Sequence, residues 1–391
     1  MRPIIIIGSG MAGYTVAREF RKLDKSTPLV IMSNDDGAFY AKPMLSNAFA
    51  MGKLATQIAS QSAEQMAQQL DANVMQHTTV NQIDRLNKTV STKEASFGYS
   101  KLVLAVGAQA IRLPITGNAA EQVMSVNNLQ DYIKLRDAIA TKDGGRRIVI
   151  LGAGLIGCEF ADDLASAGHH VSVVDPNLLP LAALAPQPIS LGLKNALMQR
   201  GVQFKLGTTA SNIDQHQDTK SLKVSLANHE IINADIIISA VGLRADLRLA
   251  HVANLETERG IIVDAAGQTS AQDVYAIGDC AQYTHPANGQ RQMLPYIAPI
   301  MIAARAIARN LLGDQVNIDF RPTPIIVKTP SYPIALLPPA PQFAALGRWE
   351  HELDAEMNIS RFYDGADRMT GFAVGPQEPK IRATLLAELM V

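Results

Sequence analysis

The chain has 391 residues, 47% of them apolar and 18% charged, and a net charge of −1. That balance excludes a disordered polymer, and near-neutrality leaves no basic footprint for nucleic acid. The length exceeds what one core organises and calls for two or three domains.

The chain opens on Ile4-Ile5-Ile6-Ile7, which reads as a strand and not a signal peptide because it runs straight into Gly8-Ser9-Gly10-Met11-Ala12-Gly13. A GxGxxG between an apolar strand and a helix is a dinucleotide fingerprint. Its first glycine permits the tight turn, its second lets backbone approach a pyrophosphate, and its third lets helix pack on strand. The helix N-terminus then offers free N–H groups and its dipole to the phosphates. Val16, Ala17, Phe20 and Leu23 recur at helical spacing and predict one buried face. A second strand, Leu29 to Met32, ends at Ser33-Asn34-Asp35-Asp36, where this fold meets an adenosine ribose. Ser33 and Asn34 stand nearest the strand and the aspartates follow, so all four stay open as the contact.

A β-rich stretch between Val74 and Phe97, including Val80-Asn81-Gln82-Ile83-Asp84, leads to a strand, Lys101 to Val106, that closes on Gly107. A second fingerprint follows, in which Arg147 to Leu151 runs into Gly152-Ala153-Gly154-Leu155-Ile156-Gly157. Two copies in context predict two bound dinucleotides. The strand Val171 to Val174 ends at Asp175, 23 residues after Gly152. A carboxylate there accepts hydrogen bonds from the ribose hydroxyls and repels a 2′-phosphate. No arginine follows in Pro176-Asn177-Leu178-Leu179, so NADH is expected over NADPH. Ile236 to Val241 closes on Gly242 in the same way, and Val274-Tyr275-Ala276-Ile277 then leads into Gly278-Asp279-Cys280. From about 316 a proline-rich stretch gives way to alternating strands. The longest uncharged run, Thr329 to Gly347, holds five prolines and cannot be a membrane helix. The two cysteines, Cys158 and Cys280, match no metal spacing and no CxxC pair, and the eight histidines are scattered. Both cysteines read as small buried residues, no metal site is expected, and the expected location is the cytoplasm.

With these marks in this order, the chain resembles the two-dinucleotide flavoproteins that include glutathione reductase and the flavin reductases of small iron proteins. The resemblance spans the whole chain and implies an α/β fold. Two Rossmann-like, glutathione-reductase-like domains would bind FAD (1–114 with 242–315) and a nicotinamide nucleotide (115–241), followed by a small α+β C-terminal domain (316–391). It implies FAD contacts from Gly8, Ser9, Gly10, Met11, Ala12 and Gly13, from the Ser33–Asn34 strand end, and from Lys42, Gly107 and Gly278. It places Asp279 on the ribityl chain and the backbones of Val80 and Ile297 on the adenine and pyrimidine sides. Gly152, Gly154, Gly157, Asp175 and Gly242 would belong to the NADH site. Glu159 would stand near the nicotinamide, and Lys328 would lie by the flavin ring and stabilise its negative charge when reduced.

The branch follows from a missing element. Disulfide reductases of this family carry redox cysteines where this chain reads Tyr40-Ala41-Lys42-Pro43-Met44-Leu45-Ser46. Without a cysteine thiol there, electrons must leave to an external acceptor. The stretch is similar to the branch that reduces rubredoxins and ferredoxins. Ferredoxin reductases of aromatic oxygenases carry a lysine after that serine, paired with the glutamate at 159, and an aromatic motif where the tail begins. This chain has Asn47 and Thr323-Pro324-Ile325-Ile326-Val327-Lys328-Thr329-Pro330 instead. The resemblance therefore points to the bacterial NADH-dependent reductases of rubredoxin, serving alkane hydroxylation or an oxygen-detoxifying chain. A ferredoxin reductase of an oxygenase and a redox-sensing FAD/NADH-binding protein are the alternatives. Rubredoxin is the expected partner, with no nucleic acid, no membrane insertion, and a monomer or homodimer.

Overall fold

The computed structural model describes residues 1–140, 144–216, 221–285, 289–340, 344–354 and 356–389. They fall into two compact units, one of residues 1–42, 56–109 and 243–321, the other of 43–55, 110–242 and 322–391.

The first unit is built on a parallel five-stranded sheet in the order Val274–Ala276, Lys101–Leu104, Ile4–Ile7, Leu29–Met32, Asn73–Met75. Ile4–Ile7 is central, with Leu29–Met32 and Lys101–Leu104 in register on its two sides. Apolar runs without alternation suit such strands, because a parallel sheet is covered on both faces. The helix Met11–Leu23 buries Tyr14, Val16, Ala17 and Phe20, but Leu23 is 53% exposed. The helix stops at Leu23, and the buried position in its last turn belongs to Arg21, whose guanidinium donates to the carbonyls of Leu70 and Asp71. The helix Ile297–Asn310 packs beside it and buries four alanines, Ala303, Ala304, Ala306 and Ala308, small residues that permit close approach. The β-rich stretch forms a three-stranded antiparallel sheet of Gln82–Asp84, Thr89–Ser91 and Ser96–Gly98.

The second unit repeats the pattern. Its parallel sheet runs Gln203–Leu206, His170–Asp175, Arg147–Leu151, Ile236–Ser239. In both units the strand before the fingerprint lies where the strand order reverses, and that switch point is where open α/β sheets leave a crevice. The tail contributes a five-stranded antiparallel sheet in the order Ile325–Val327, Ile334–Leu337, Met369–Gly375, Asn358–Tyr363, Arg348–Leu353. Ala335, Phe372 and Val374 form its small core with Leu385 of the helix Pro379–Glu388. The helix Gln187–Gln199 packs on the strands Asn358–Tyr363 and Met369–Gly375, so the tail and the second nucleotide region share one unit.

Candidate functional site

Each fingerprint forms a tight turn with two crowded glycines around one open one. A Cβ on Gly13 would stand 1.9 Å from the carbonyl oxygen of Gly8, and one on Gly157 would stand 1.9 Å from that of Gly152. Gly10 and Gly154 are different, for nothing lies within 4 Å of the Cβ position at either. Each is the N-cap of its helix, and no side chain caps the helices that follow, Met11–Leu23 and Leu155–Ser166. The first N–H groups of an α-helix have no partner within the helix itself. Two uncapped helix starts, each with an open glycine beside it, are cradles that a Cβ would fill and that a pyrophosphate fits. The residues present fit one dinucleotide in each unit.

The two strand ends are equivalent in register and different in chemistry. The Gly8 N–H bonds the carbonyl of Met32, and the Gly152 N–H bonds that of Val174, so Ser33 is the counterpart of Asp175. Asp175 is buried and accepts the Ala153 N–H at 2.6 Å, with Asn177 donating its N–H and Nδ2 to the other oxygen at 2.8 and 2.9 Å. In the first unit Ser9 and Ser33 join hydroxyls at 2.5 Å, and Ser33 and the Gly37 N–H both bond the Asp35 carboxylate. Asp36 accepts the N–H of Ala38 at 3.1 Å, and Asn34 is exposed. Of the four candidate residues, Ser33 and Asp35 are the two bonded to the fingerprint, through Ser9.

Gly278 takes a φ of +79°, and a Cβ there would come within 2.9 Å of that of Ala12. This contact seats the Gly278–Cys280 turn against the first fingerprint helix and brings Asp279 to it. Lys42 places its ammonium 3.8 Å from the Asp279 carboxylate. The Gly278 N–H donates to the hydroxyl of the buried Tyr283 at 3.2 Å. The strand Lys101–Leu104 stops three residues before Gly107, which has a φ of +70° and nothing within 4 Å of its Cβ position, and Gly242 lies in the second unit next to Ile111. Val80 is buried in the first unit's core, and Ile297 is the half-exposed first residue of its helix.

Glu159 lies buried in the first turns of the second fingerprint helix. Its Oε2 accepts the Ser46 hydroxyl at 2.5 Å and the Asn47 amide at 3.2 Å, and its Oε1 accepts the backbone N–H of Lys328 at 2.9 Å. The lysine that would pair with this glutamate is therefore replaced by neutral donors. Lys328, a half-buried residue, meets Glu159 through its main-chain N–H. Sequence reasoning missed Ser46 as a partner of Glu159; its hydroxyl next to Asn47 was the available signal.

Both cysteines are free and buried. Burial pushes the Cys280 thiol up to about 11 and raises that of Cys158 further, so neither is a thiolate near neutral pH. Among the described residues no three His, Cys, Asp or Glu side chains group to hold a metal ion, and no helix is long and apolar enough to cross a membrane.

Residues 2–300 match the family profile described as pyridine nucleotide-disulphide oxidoreductase, and residues 317–389 match that of a rubredoxin binding C-terminal domain. The chain is 39% identical to the rubredoxin-NAD(+) reductase of Alcanivorax borkumensis, covering 100% of this chain and 99% of that one. It is 41% identical to the rubredoxin-NAD(+) reductase of Acinetobacter baylyi, over 98% and 97% of the two chains. Similarity extends to the nitric oxide reductase FlRd-NAD(+) reductase of Vibrio vulnificus, at 36% identity over 99% and 98%. In fold it resembles the reductase of the covalent putidaredoxin reductase–putidaredoxin complex, with a TM-score of 0.89, 21% identity, and coverage of 100% and 93%.

Proposed function

We propose, for a chain that belongs to the rubredoxin-NAD(+) reductase family of pyridine nucleotide-disulphide oxidoreductases, that it carries electrons from NADH through FAD to rubredoxin. The observation that carries this reading is the pair of uncapped fingerprint helices with open Gly10 and Gly154. When bound, FAD supplies acceptance of an electron pair from NADH and its release one electron at a time.

The chain's own residues position and stabilise. The N–H groups of Met11, Ala12 and Gly13 hold the FAD pyrophosphate, Ser33 or Asp35 faces the ribose, and Asp279 orients the ribityl chain. Lys42 supplies positive charge beside Asp279. Val80, Gly107 and Ile297 line the FAD site. In the second unit Gly152, Gly154 and Gly157 hold the NADH pyrophosphate, Asp175 its adenosine ribose, and Gly242 closes the strand beside them. Glu159 and Lys328 serve the hydride transfer, with Ser46 and Asn47 fixing the carboxylate of Glu159. The three functional parts are residues 1–114 with 242–315 for FAD, 115–241 for NADH, and 316–391 for docking the iron protein. No redox cysteine stands between the flavin and the acceptor.

Two settings fit this chemistry. One feeds electrons to alkane hydroxylation in the cytoplasm. The other reduces a flavorubredoxin that consumes nitric oxide, favoured by the 36% identity to reductases so named. Stopped-flow oxidation of the NADH-reduced protein by rubredoxin, flavorubredoxin and a plant-type ferredoxin, side by side, tests the reading. Fastest oxidation by ferredoxin would refute it, and the faster of the other two identifies the setting.

A further inference from the structure

The helix Leu155–Ser166 buries three carboxylates on one face, because Glu159, Asp162 and Asp163 stand at i, i+3 and i+4. Like charges at that spacing repel, and burying an ionised carboxylate is costly unless donors replace its water. The donors come from two distant stretches of chain. Asp163 accepts the backbone N–H of Phe49 at 2.8 Å and of Ala50 at 2.9 Å. Asp162, fully buried, accepts the N–H of Ser331 at 2.8 Å and its hydroxyl at 2.5 Å. Arg200 adds a longer contact, its Nε 3.9 Å from Asp162. Glu159 bonds both stretches at once, through Ser46 and Asn47 on one and Lys328 on the other.

Stability alone does not call for this arrangement. Well-packed apolar side chains commonly match or exceed buried charges in stability. What a carboxylate adds is direction, since each oxygen holds its donor within hydrogen-bond tolerance. The helix that begins at the NADH fingerprint thus carries one carboxylate among the proposed reaction groups and two more just behind it.

We propose that Asp162 and Asp163 are positioning residues for the electron-transfer reaction, clamping segments 46–50 and 328–331 to this helix so that Ser46, Asn47 and Lys328 stand correctly about Glu159. The proposal rests on the reading that Glu159 and Lys328 serve hydride transfer, and adds that their placement depends on two carboxylates outside the reacting groups.

The test uses the full-length, FAD-loaded protein and the variants D162N, D163N, E159A and D162N/E159A. Amide hydrogen exchange should rise about tenfold at Ser331 in D162N and at Phe49 and Ala50 in D163N, each leaving the other segment unchanged. The stopped-flow rate of flavin reduction by NADH should fall on the order of 10-fold in D162N, with the apparent NADH dissociation constant changed less than about twofold. In the E159A background, which removes the acceptor of the Lys328 main-chain N–H, D162N should cost less than about a further twofold, the coupling expected of a residue that acts through the placement of Lys328 at Glu159. S331A removes a single donor and should show the same coupling, which keeps the test decisive if D162N fails to fold. Unchanged exchange at these amides, or fully additive losses in the double variant, overturns the proposal. A wild-type flavin that NADH does not reduce would refute the proposed function instead, and the exchange data would still judge the clamp.

Discussion

Two glycines three residues apart in the first fingerprint should respond oppositely to the same methyl group. Gly10 has a φ of −69°, which any L-residue adopts, and its Cβ position is open. Gly10→Ala should therefore leave the stability of the apoprotein within about 1 kcal/mol of wild type, the balance of a weaker cap and a stiffer unfolded chain. Gly13→Ala instead drives a Cβ to 1.9 Å from the Gly8 carbonyl oxygen, a backbone clash with no flexible side chain to yield. That variant should lose the folded first unit. With the FAD pyrophosphate against Gly10, the alanine methyl displaces it and breaks one or two charge-assisted hydrogen bonds, each worth about 1.5–3 kcal/mol. A loss of about 3 kcal/mol is roughly a 100-fold weaker dissociation constant. Fluorescence titration of apoprotein with FAD, beside thermal melts of the apo forms, reads both quantities. Gly154→Ala, with a φ of −76° and an equally open Cβ position, should stay yellow and stable while binding NADH about 100-fold more weakly by the same arithmetic. Wild-type FAD affinity in Gly10→Ala, or a defect in NADH binding alone, would refute the assignment of cofactors to units.

Asp175→Ala should narrow the preference for NADH over NADPH and lower kcat/KM for NADH at least about tenfold, because it removes the ribose acceptor and frees the Ala153 N–H. Equal kcat/KM for the two nucleotides in the wild type would show the strand end to be misread. Asp279→Ala should weaken FAD retention by about 1–3 kcal/mol and release Lys42, visible as faster flavin loss on dialysis; unchanged retention would exclude the ribityl contact. Cys158→Ser with Cys280→Ser should leave turnover within about twofold, since burial keeps both thiols protonated, and lost turnover with FAD still bound would reveal a thiol relay. The second-order rate with an acidic rubredoxin should fall as salt rises while reduction by NADH changes little. The tail's Arg348, Arg361 and Arg368 are each already paired with carboxylates, so a salt-independent rate would place docking outside charge steering.

The amino-acid sequence by itself determined both fingerprints, the apolar strands that feed them, the duplicated nucleotide-binding unit, and the missing cysteine between Tyr40 and Ser46. These were legible because their causes are local. Glycines are needed within six residues of one another, and apolar runs or helical spacing report burial without reference to distant chain. The helix-face reading failed only at Leu23, where Arg21 found carbonyls on another segment, Leu70 and Asp71, to bond. Tertiary structure alone decided that Ser33 is the counterpart of Asp175, because the N–H of the first fingerprint glycine bonds the carbonyl of Met32 in one unit and of Val174 in the other, which spacing along the chain does not reveal. It alone decided that Glu159 is held by Ser46, Asn47 and the main chain of Lys328, and that Asp162 and Asp163 face inward. Those partners lie 112 to 169 positions apart in the chain. A hydrogen bond tolerates only a few tenths of an ångström, and over such separations only the packed path of the backbone sets which donor reaches which carboxylate.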